Sequence, residues 1–384
     1  MPQDRLVQVA AQTGLGRRVA CRFCADGGPD LLVGDRLRHG ATLTGGPASL
    51  YAGRVKDAHA YARKPIEELY RWFATEAGPT SPTWAALCRW IADTPAVSER
   101  LDALPGAKRQ PNVFLGALKY HDGPLVGGPE LIAWLDAHWP EVEATILSRA
   151  TQTNEPGRCA VLAPLLASLP QPVALFEVGA SAGLLLLPDR YRYRYDGGPI
   201  IAGREAWPGA PVLDCAVTGS PPASPADLVV VHREGLDASP LPADHPDEAR
   251  WLRSLVWPGE DAREARLVAA LAVAALDPPP VLTGRLPDDL PAFLDHAVAT
   301  ADALGATPVL MHSATLAYLE RAGREASQAA IVASGVRWVS FEGGKVVPAL
   351  YGRVPDDGRP HFVLGLDCEP VARCSPHGGW VDWL

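Results

Sequence analysis

No stretch of the 384-residue sequence approaches the ~20 consecutive apolar residues that a membrane-spanning helix needs. The first residues, Met-Pro-Gln-Asp-Arg, lack the charged-then-apolar pattern of a secretory leader. Both absences lead to the expectation of a cytoplasmic protein with no membrane partner. A basic excess is missing as well. The formal net charge is −9, and residues 1–170 carry 18 Lys+Arg against 17 Asp+Glu, so the surplus of acid lies in the remainder. That is the wrong sign for gripping nucleic acid, which calls for a basic face.

The seven cysteines are an odd number in a long chain, not a disulfide framework. Cys21-x-x-Cys24 and Cys368-x5-Cys374 invite a zinc reading, but neither has the flanking pattern of a zinc knuckle. The expectation is reduced, partly buried thiols and no metal site. A hydrophobic content of 47% with 21% charged residues is ordinary globular composition, and the length suits two domains.

Apolar residues recur at helical spacing through the first 168 residues. Residues 1–24, 48–77, 82–92, 95–104, 112–120 and 129–151 read as helices, with a Gly- and Pro-rich loop over 25–47. Ser81 before Pro82 is a plausible cap, since Pro at the first helical position forfeits no hydrogen bond. No convincing strand precedes residue 170. Beyond it, apolar runs alternate with helical blocks. The expected division is therefore a helical N-terminal region, 1–168, followed by an open, mostly parallel α/β sheet domain, 169–384.

The sheet domain opens on Pro172-Val-Ala-Leu-Phe-Glu177-Val-Gly179-Ala180-Ser181-Ala-Gly183-Leu. This pattern predicts a buried strand, a tight turn, and a helix whose N-terminus offers unpaired N–H groups to a ligand. Three chemistries use such a turn. A pyrophosphate-binding loop wants Gly-x-Gly-x-x-Gly, and Ser181 replaces its middle glycine. A hydrolase elbow matches Gly179-x-Ser181-x-Gly183, with Asp237 and a later histidine in the required order, but that fold places strands upstream where helices are read here. The third is the S-adenosylmethionine fold, whose acid-x-Gly-x-x-x-Gly loop Glu177-Val-Gly179-Ala-Ser-Ala-Gly183 resembles.

On that third reading, Asp227–Asp237 is the second strand, and Asp237 accepts hydrogen bonds from ribose hydroxyls. Gly284-Arg285-Leu-Pro-Asp288 resembles the turn after the third strand, with Asp288 a further cofactor contact. Thr307–Ser313 resembles the fourth strand, and His312 is the candidate base because its unperturbed pKa lies near neutrality. Gly183 and Asp237 are far apart in sequence, so an insertion carrying Tyr191–Val217 must lie between them; the alternative ribose acid is Asp196. Tyr191–Tyr195 alternates tyrosine with arginine, a strand with two unlike faces. Arg192 and Arg194 read as solvated edge residues.

Upstream of the first strand, Asn154-Glu155-Pro156 is a good helix start; functionally, Asn154, Glu155 and Arg158 could stand beside the glycine turn. The chain resembles a bacterial family of unknown function, DUF2332. The resemblance rests on Gln152–Ala160, Glu177–Leu184, Asp189–Tyr193, Gly235–Asp237, Arg250–Leu252, Val256–Pro258, His312–Ala314, Leu316–Leu319 and Pro376–Gly378. It covers roughly residues 81–384. It implies a helical part fused to a Rossmann-like, class I methyltransferase-like sheet, and it places Asn154, Glu155 and Arg158 in its strongest signature.

The function expected is S-adenosylmethionine-dependent methyl transfer to a small molecule. The catalytic candidates are His312, Asn154, Glu155 and Arg158. Glu177, Gly179, Ala180, Ser181, Gly183, Asp237 and Asp288 would hold the cofactor. Alternatives are a serine hydrolase using Ser181, or a non-catalytic protein that retains the fold, as Arg285 hints by standing where an acid often follows the glycine.

Overall fold

The computed structural model describes residues 64–355 and 357–384. The helix expected over 1–24, the Cys21-x-x-Cys24 pair, the 25–47 loop and the start of the helix from Ala48 lie outside the described residues. The first described helix is α1 (Ile66–Ala77), which buries Ile66, Leu69, Tyr70, Phe73 and Ala77 along one face. Next is α2 (Pro82–Ala92), where Ser81 is the cap that its sequence promised: its hydroxyl accepts from Trp84 N and donates to Pro258 O at 2.7 Å. Then come α3 (Pro95–Asp102), α4 (Pro111–Tyr120) and α5 (Pro129–Ser148). The short α6 (Cys159–Ala167) is buried at every position, as an all-apolar helix in the interior should be.

Among the described residues eleven strands form one sheet, in the order β3 (Ile200–Ala202), β2 (Arg192–Tyr195), β4 (Val212–Thr218), β11 (Trp380–Trp383), β10 (Glu369–Cys374), β9 (Phe362–Leu366), β8 (Arg337–Gly343), β7 (Thr307–Ser313), β1 (Val173–Val178), β5 (Val230–Asp237) and β6 (Val281–Thr283). Its parallel half contains β1 (Val173–Val178), β5 (Val230–Asp237), β6 (Val281–Thr283), β7 (Thr307–Ser313) and β8 (Arg337–Gly343). Within that half β1 lies between β5 and β7, with Glu177 opposite Gly235 on one side and Met311 on the other. The chain therefore leaves β1 in one direction for β5 and β6, and returns on the other side for β7 and β8. An open α/β sheet has its natural crevice at such a reversal, beyond the carboxyl ends of the strands.

Connecting these strands are α7 (Pro246–Ser254), α8 (Asp261–Leu276), α9 (Leu290–Leu304) and α10 (Arg321–Ser334). The pleat sorts β1 between two cores. Val173 and Leu175 pack with α1–α8, whereas Ala174, Phe176 and Val178 pack with α9 and α10.

The other half of the sheet holds β2 (Arg192–Tyr195), β3 (Ile200–Ala202), β4 (Val212–Thr218), β9 (Phe362–Leu366), β10 (Glu369–Cys374) and β11 (Trp380–Trp383). Residues 191–218 are thus an excursion that adds three strands far from β1, which explains the distance in sequence between Gly183 and Asp237. Tyr191 and Tyr193 are buried on one face, as the alternation predicts. However, β2 is not an edge, because β3 covers it, and its arginines are engaged: Arg192 Nε with Ala210 O, Arg194 with Asp214.

Two further expectations are corrected. No α-helix follows the glycine turn; instead two 3₁₀ turns, Leu184–Leu186 and Pro188–Arg190, lead straight into β2. Leu184–Leu187 are all buried, so they do not form one face of a helix, and Pro188 breaks the run. Apolar spacing also predicts a helix over Ala314–Ala333, but the helix starts only at Arg321, because Ala314 is left-handed (φ 55°) and the amides of Thr315 and Leu316 are taken by Glu342. Among the described helices none is long and apolar enough to cross a membrane.

Candidate functional site

The turn after β1 lies at the reversal point and is tightly fastened. Gly179 has φ +75°, and a Cβ there would meet Thr315 Oγ1 at 2.2 Å, so the position needs glycine on both counts. Each amide of the turn is used inside the protein. Gly179 N donates to Leu236 O at 2.7 Å, Ala180 N to the same oxygen at 3.4 Å, and Gly183 N to Ala180 O at 2.7 Å. Ser181 N donates to Asp237 Oδ2 at 2.9 Å and Ala182 N to Asn154 Oδ1 at 3.2 Å. The turn therefore has no spare N–H and no helix N-terminus with which to cradle a phosphate.

Asn154 is not the helix cap. Its amide spans the gap to the turn, donating to Ser181 Oγ at 2.7 Å while accepting from Ala182. Glu155 takes the capping role, accepting from Gly157 N at 2.9 Å. Glu155 is fully buried, with Arg263 2.9 Å and Arg266 3.1 Å from its two oxygens. Burial pushes its pKa up, but Arg263 and Arg266 outweigh that and hold the carboxyl below the usual range. His377 lies 3.8 Å from Glu155 but is not its ion-pair partner. Dense surroundings, then Arg263 and Arg158, push the His377 pKa down to about 3, so the ring is neutral although its edge stays open to solvent.

Arg158 is 2% exposed and is held by neutral acceptors. Nε donates to Pro376 O at 2.9 Å; Nη1 donates to Ser313 O at 3.3 Å and Ser313 Oγ at 3.0 Å. The rings of Phe341 and Phe362 lie 5.7 and 5.9 Å from the guanidinium carbon. Glu177 is buried, and its Oε2 is sealed off without a partner. Desolvation, then the charge of Asp237, push the Glu177 pKa well above the ordinary carboxylate value, against the pull of Arg158.

His312 and Glu342 lie on the other face of the sheet. His312 Nδ1 is 2.8 Å from Glu342 Oε1, an oxygen that also accepts from Thr315 N at 2.7 Å and Leu316 N at 2.9 Å. His312 Nε2 and Glu342 Oε2 are buried and unpartnered. Glu342 was not anticipated. Its signal was available, since Phe341-Glu342-Gly343-Gly344 repeats the strand–acid–glycine pattern of Phe176-Glu177-Val-Gly179.

Asp237 ends β5, its Oδ1 accepting from Ser239 N at 2.7 Å. Asp196 sits in the turn between β2 and β3, with Oδ1 accepting from Val217 N at 2.9 Å, remote from β1. Asp288 is exposed, and its neighbour Asp289 is the residue that closes the loop by accepting from Arg285 N at 2.7 Å. The structure thus gathers Asn154, Ser181 and Asp237 at the turn, with Glu177 and Arg158 beside it, and leaves Asp196 and Asp288 outside. Two surface hollows among the described residues lie elsewhere, one against Pro65 and Asp102, the other against Lys119 and Arg250. Among the described residues no cluster of three His, Cys, Asp or Glu side chains could hold a metal ion.

Residues 126–383 match the family described as an uncharacterized protein conserved in bacteria, DUF2332. The chain belongs to this family. No curated protein and no solved structure matches it. The DUF2332 match begins at residue 126, so helices α1–α4 lie ahead of it. Signatures that are far apart in the DUF2332 sequence meet in space. The Asn154–Arg158 turn presses on Pro376-His377-Gly378 so closely that a Cβ on Gly378 would lie 2.1 Å from Gly157 O.

Proposed function

We propose that this protein is an S-adenosylmethionine-dependent methyltransferase acting on a small molecule. The observation that carries this reading is the full internal use of the turn amides at the reversal point of the sheet. Phosphate-bearing dinucleotides need such amides; an adenosyl cofactor, which has no phosphate, does not. The order β6-β5-β1-β7-β8 supports the reading, being that of a doubly wound, Rossmann-like sheet. Asp237 supports it as well. Each of its oxygens accepts one backbone amide and retains acceptor capacity for a ribose diol.

In this reading Glu177, Gly179, Ala180, Ser181 and Gly183 line the cofactor, and Asp237 takes the ribose. Bound cofactor supplies an electrophilic methyl group. His312, oriented by Glu342 through Nδ1, has Nε2 without a protein partner and is the group suited to accept a proton. The hydrolase alternative has one feature in its favour, the left-handed backbone of Ser181 (φ 53°). Against it, Ser181 is 3% exposed, its hydroxyl is engaged by Asn154, and no described histidine is hydrogen-bonded to it. Titration calorimetry with S-adenosylmethionine tests the proposal, and a folded protein that takes up none overturns it. Failure of a fluorophosphonate probe to label Ser181 removes the hydrolase.

A further inference from the structure

Arg263 and Arg266 stand one turn apart on α8, so they share a face of that helix. Both turn toward Glu155, and each uses only its Nε on it. Arg263 Nε lies 2.9 Å from one carboxylate oxygen and Arg266 Nε 3.1 Å from the other. Arg263 Nη1 goes on to Glu260 Oε2 at 2.9 Å. Nη2 of Arg263 and both Nη1 and Nη2 of Arg266 are left over. No described group accepts from any of them, and none is sealed from solvent. The two side chains are correspondingly 18% and 25% exposed. The side chain of His377, 45% exposed, stands 3.8 Å from the same carboxylate, in surroundings dense enough to keep its ring uncharged. A ring both densely surrounded and open to solvent lines a recess. Charge is uneven there. Arg158, Arg263 and Arg266 face only Glu155 and Glu260, which leaves one positive charge unbalanced in a chain of net charge −9. Asp214, within reach of Arg266, is taken through both oxygens by Arg194.

We infer that the outer nitrogens of Arg263 and Arg266, with the ring of His377, form a binding site for one oxyanion group, a carboxylate or a phosphate. The Nη1–Nη2 end of a guanidinium is a planar fork that matches either group, and the bond from Nε to Glu155 fixes where the Arg266 fork points. Arg263 Nη2 adds a second charged donor, and neutral His377 adds an N–H. Glu155 does not close the site, since a carboxylate held between two Nε groups leaves Arg263 Nη2 and the whole outer end of Arg266 free. The site adjoins the glycine turn. Asn154 grips Ser181 and Ala182, and the next residue, Glu155, grips the two arginines. On the methyltransferase reading, on which this assignment rests, the oxyanion belongs to the methyl acceptor. The substrate is then an anionic small molecule.

Reaction of the intact folded chain with phenylglyoxal, mapped to individual arginines by mass spectrometry, tests the site without any adenosyl compound. Sodium phosphate and sodium benzoate are compared with sodium chloride at equal ionic strength. An anion at about ten times its dissociation constant should slow the reaction at Arg263 and Arg266 roughly tenfold and leave exposed Arg321 unchanged. Protection by phosphate, by benzoate or by both upholds the site and names the oxyanion class it takes. No protection by either, equal protection at Arg321, or failure of both arginines to react with the reagent at all overturns it. Arg266→Lys keeps a charge for Glu155 but loses the fork. Calorimetric affinity for the protecting anion should fall about tenfold in that variant, and an unchanged affinity overturns the inference. Should Arg266→Lys not fold, protection of the wild type decides alone. The outcome stands apart from the S-adenosylmethionine titration. No protection in a protein that takes up S-adenosylmethionine removes the anion site only. Protection in a protein that takes up none upholds the site and removes its assignment to a methyl acceptor.

Discussion

The backbone N–H of Ser181 donates to Oδ2 of Asp237 at 2.9 Å, fastening the turn after β1 to the end of β5. A carboxylate serves there because its other oxygen accepts from Ser239 at 2.7 Å. Asp237→Asn keeps one acceptor and turns an NH₂ toward the other amide. The expected loss is about 1–3 kcal/mol in urea unfolding, from a charge-assisted bond removed and a donor left unpaired. An unchanged midpoint contradicts the fastening role.

Gly179→Ala meets two obstacles, the left-handed backbone and the Thr315 side chain. A loss of about 1–3 kcal/mol or more is expected from the backbone strain and overlap together. Adding Thr315→Ser removes the Cγ2 overlap, 2.5 Å from the new Cβ, but leaves φ unchanged. A double-mutant cycle should therefore show partial rescue. Strict additivity would show that the two positions do not meet.

Glu155 and Glu177 should give opposite pH dependences. The folded pKa of Glu155 is depressed, so its contribution is present above the unfolded pKa and is lost as pH falls through the folded value. Glu155→Gln should lose about 3–5 kcal/mol at pH 7, because Arg263 and Arg266 are left facing a neutral group. The folded pKa of Glu177 is raised, so the folded state binds more protons and stability falls as pH rises from the unfolded value toward the folded one. Glu177→Gln should therefore stabilise the ligand-free protein at neutral pH, by about 1–2 kcal/mol. Melting temperatures from pH 4 to pH 8 check both, and the same sign for the two substitutions contradicts the assignment.

Glu342 Oε1 receives His312, Thr315 N and Leu316 N at 2.7–2.9 Å. Glu342→Ala strands all of them in a buried place, and a loss of about 2–4 kcal/mol is expected by chemical denaturation. A neutral outcome would show that the loop from Ala314 to Glu320 is held by other contacts.

The sequence made the parallel half of the sheet legible, since buried runs such as Val173–Val178 and Thr307–Ser313 are bounded by Gly, Pro and helical blocks. Periodicity likewise located most described helices. What failed has local causes. The β9–β10 hairpin turns through Asp367 and Cys368, both with positive φ, and Asp-Cys lacks the glycine that signals such a turn. Leu184–Leu187 looked helical because apolar runs do not distinguish a helix from a buried coil. Asn154 looked like a cap because nothing local reveals that its amide is taken by Ser181 and Ala182, 27 and 28 residues away. Glu342 carried the strand–acid–glycine pattern in sequence, but which groups it serves appears only when β8 pairs with β7 and sets it beside His312.

Calorimetric titration of the intact, folded chain with S-adenosylmethionine, beside Asp237→Ala checked for an intact fold, tests the central claim most directly. Saturable one-to-one binding to the wild type, weakened roughly 10–100-fold in Asp237→Ala, is the predicted result. No heat of binding from a wild-type protein that still unfolds cooperatively would contradict it.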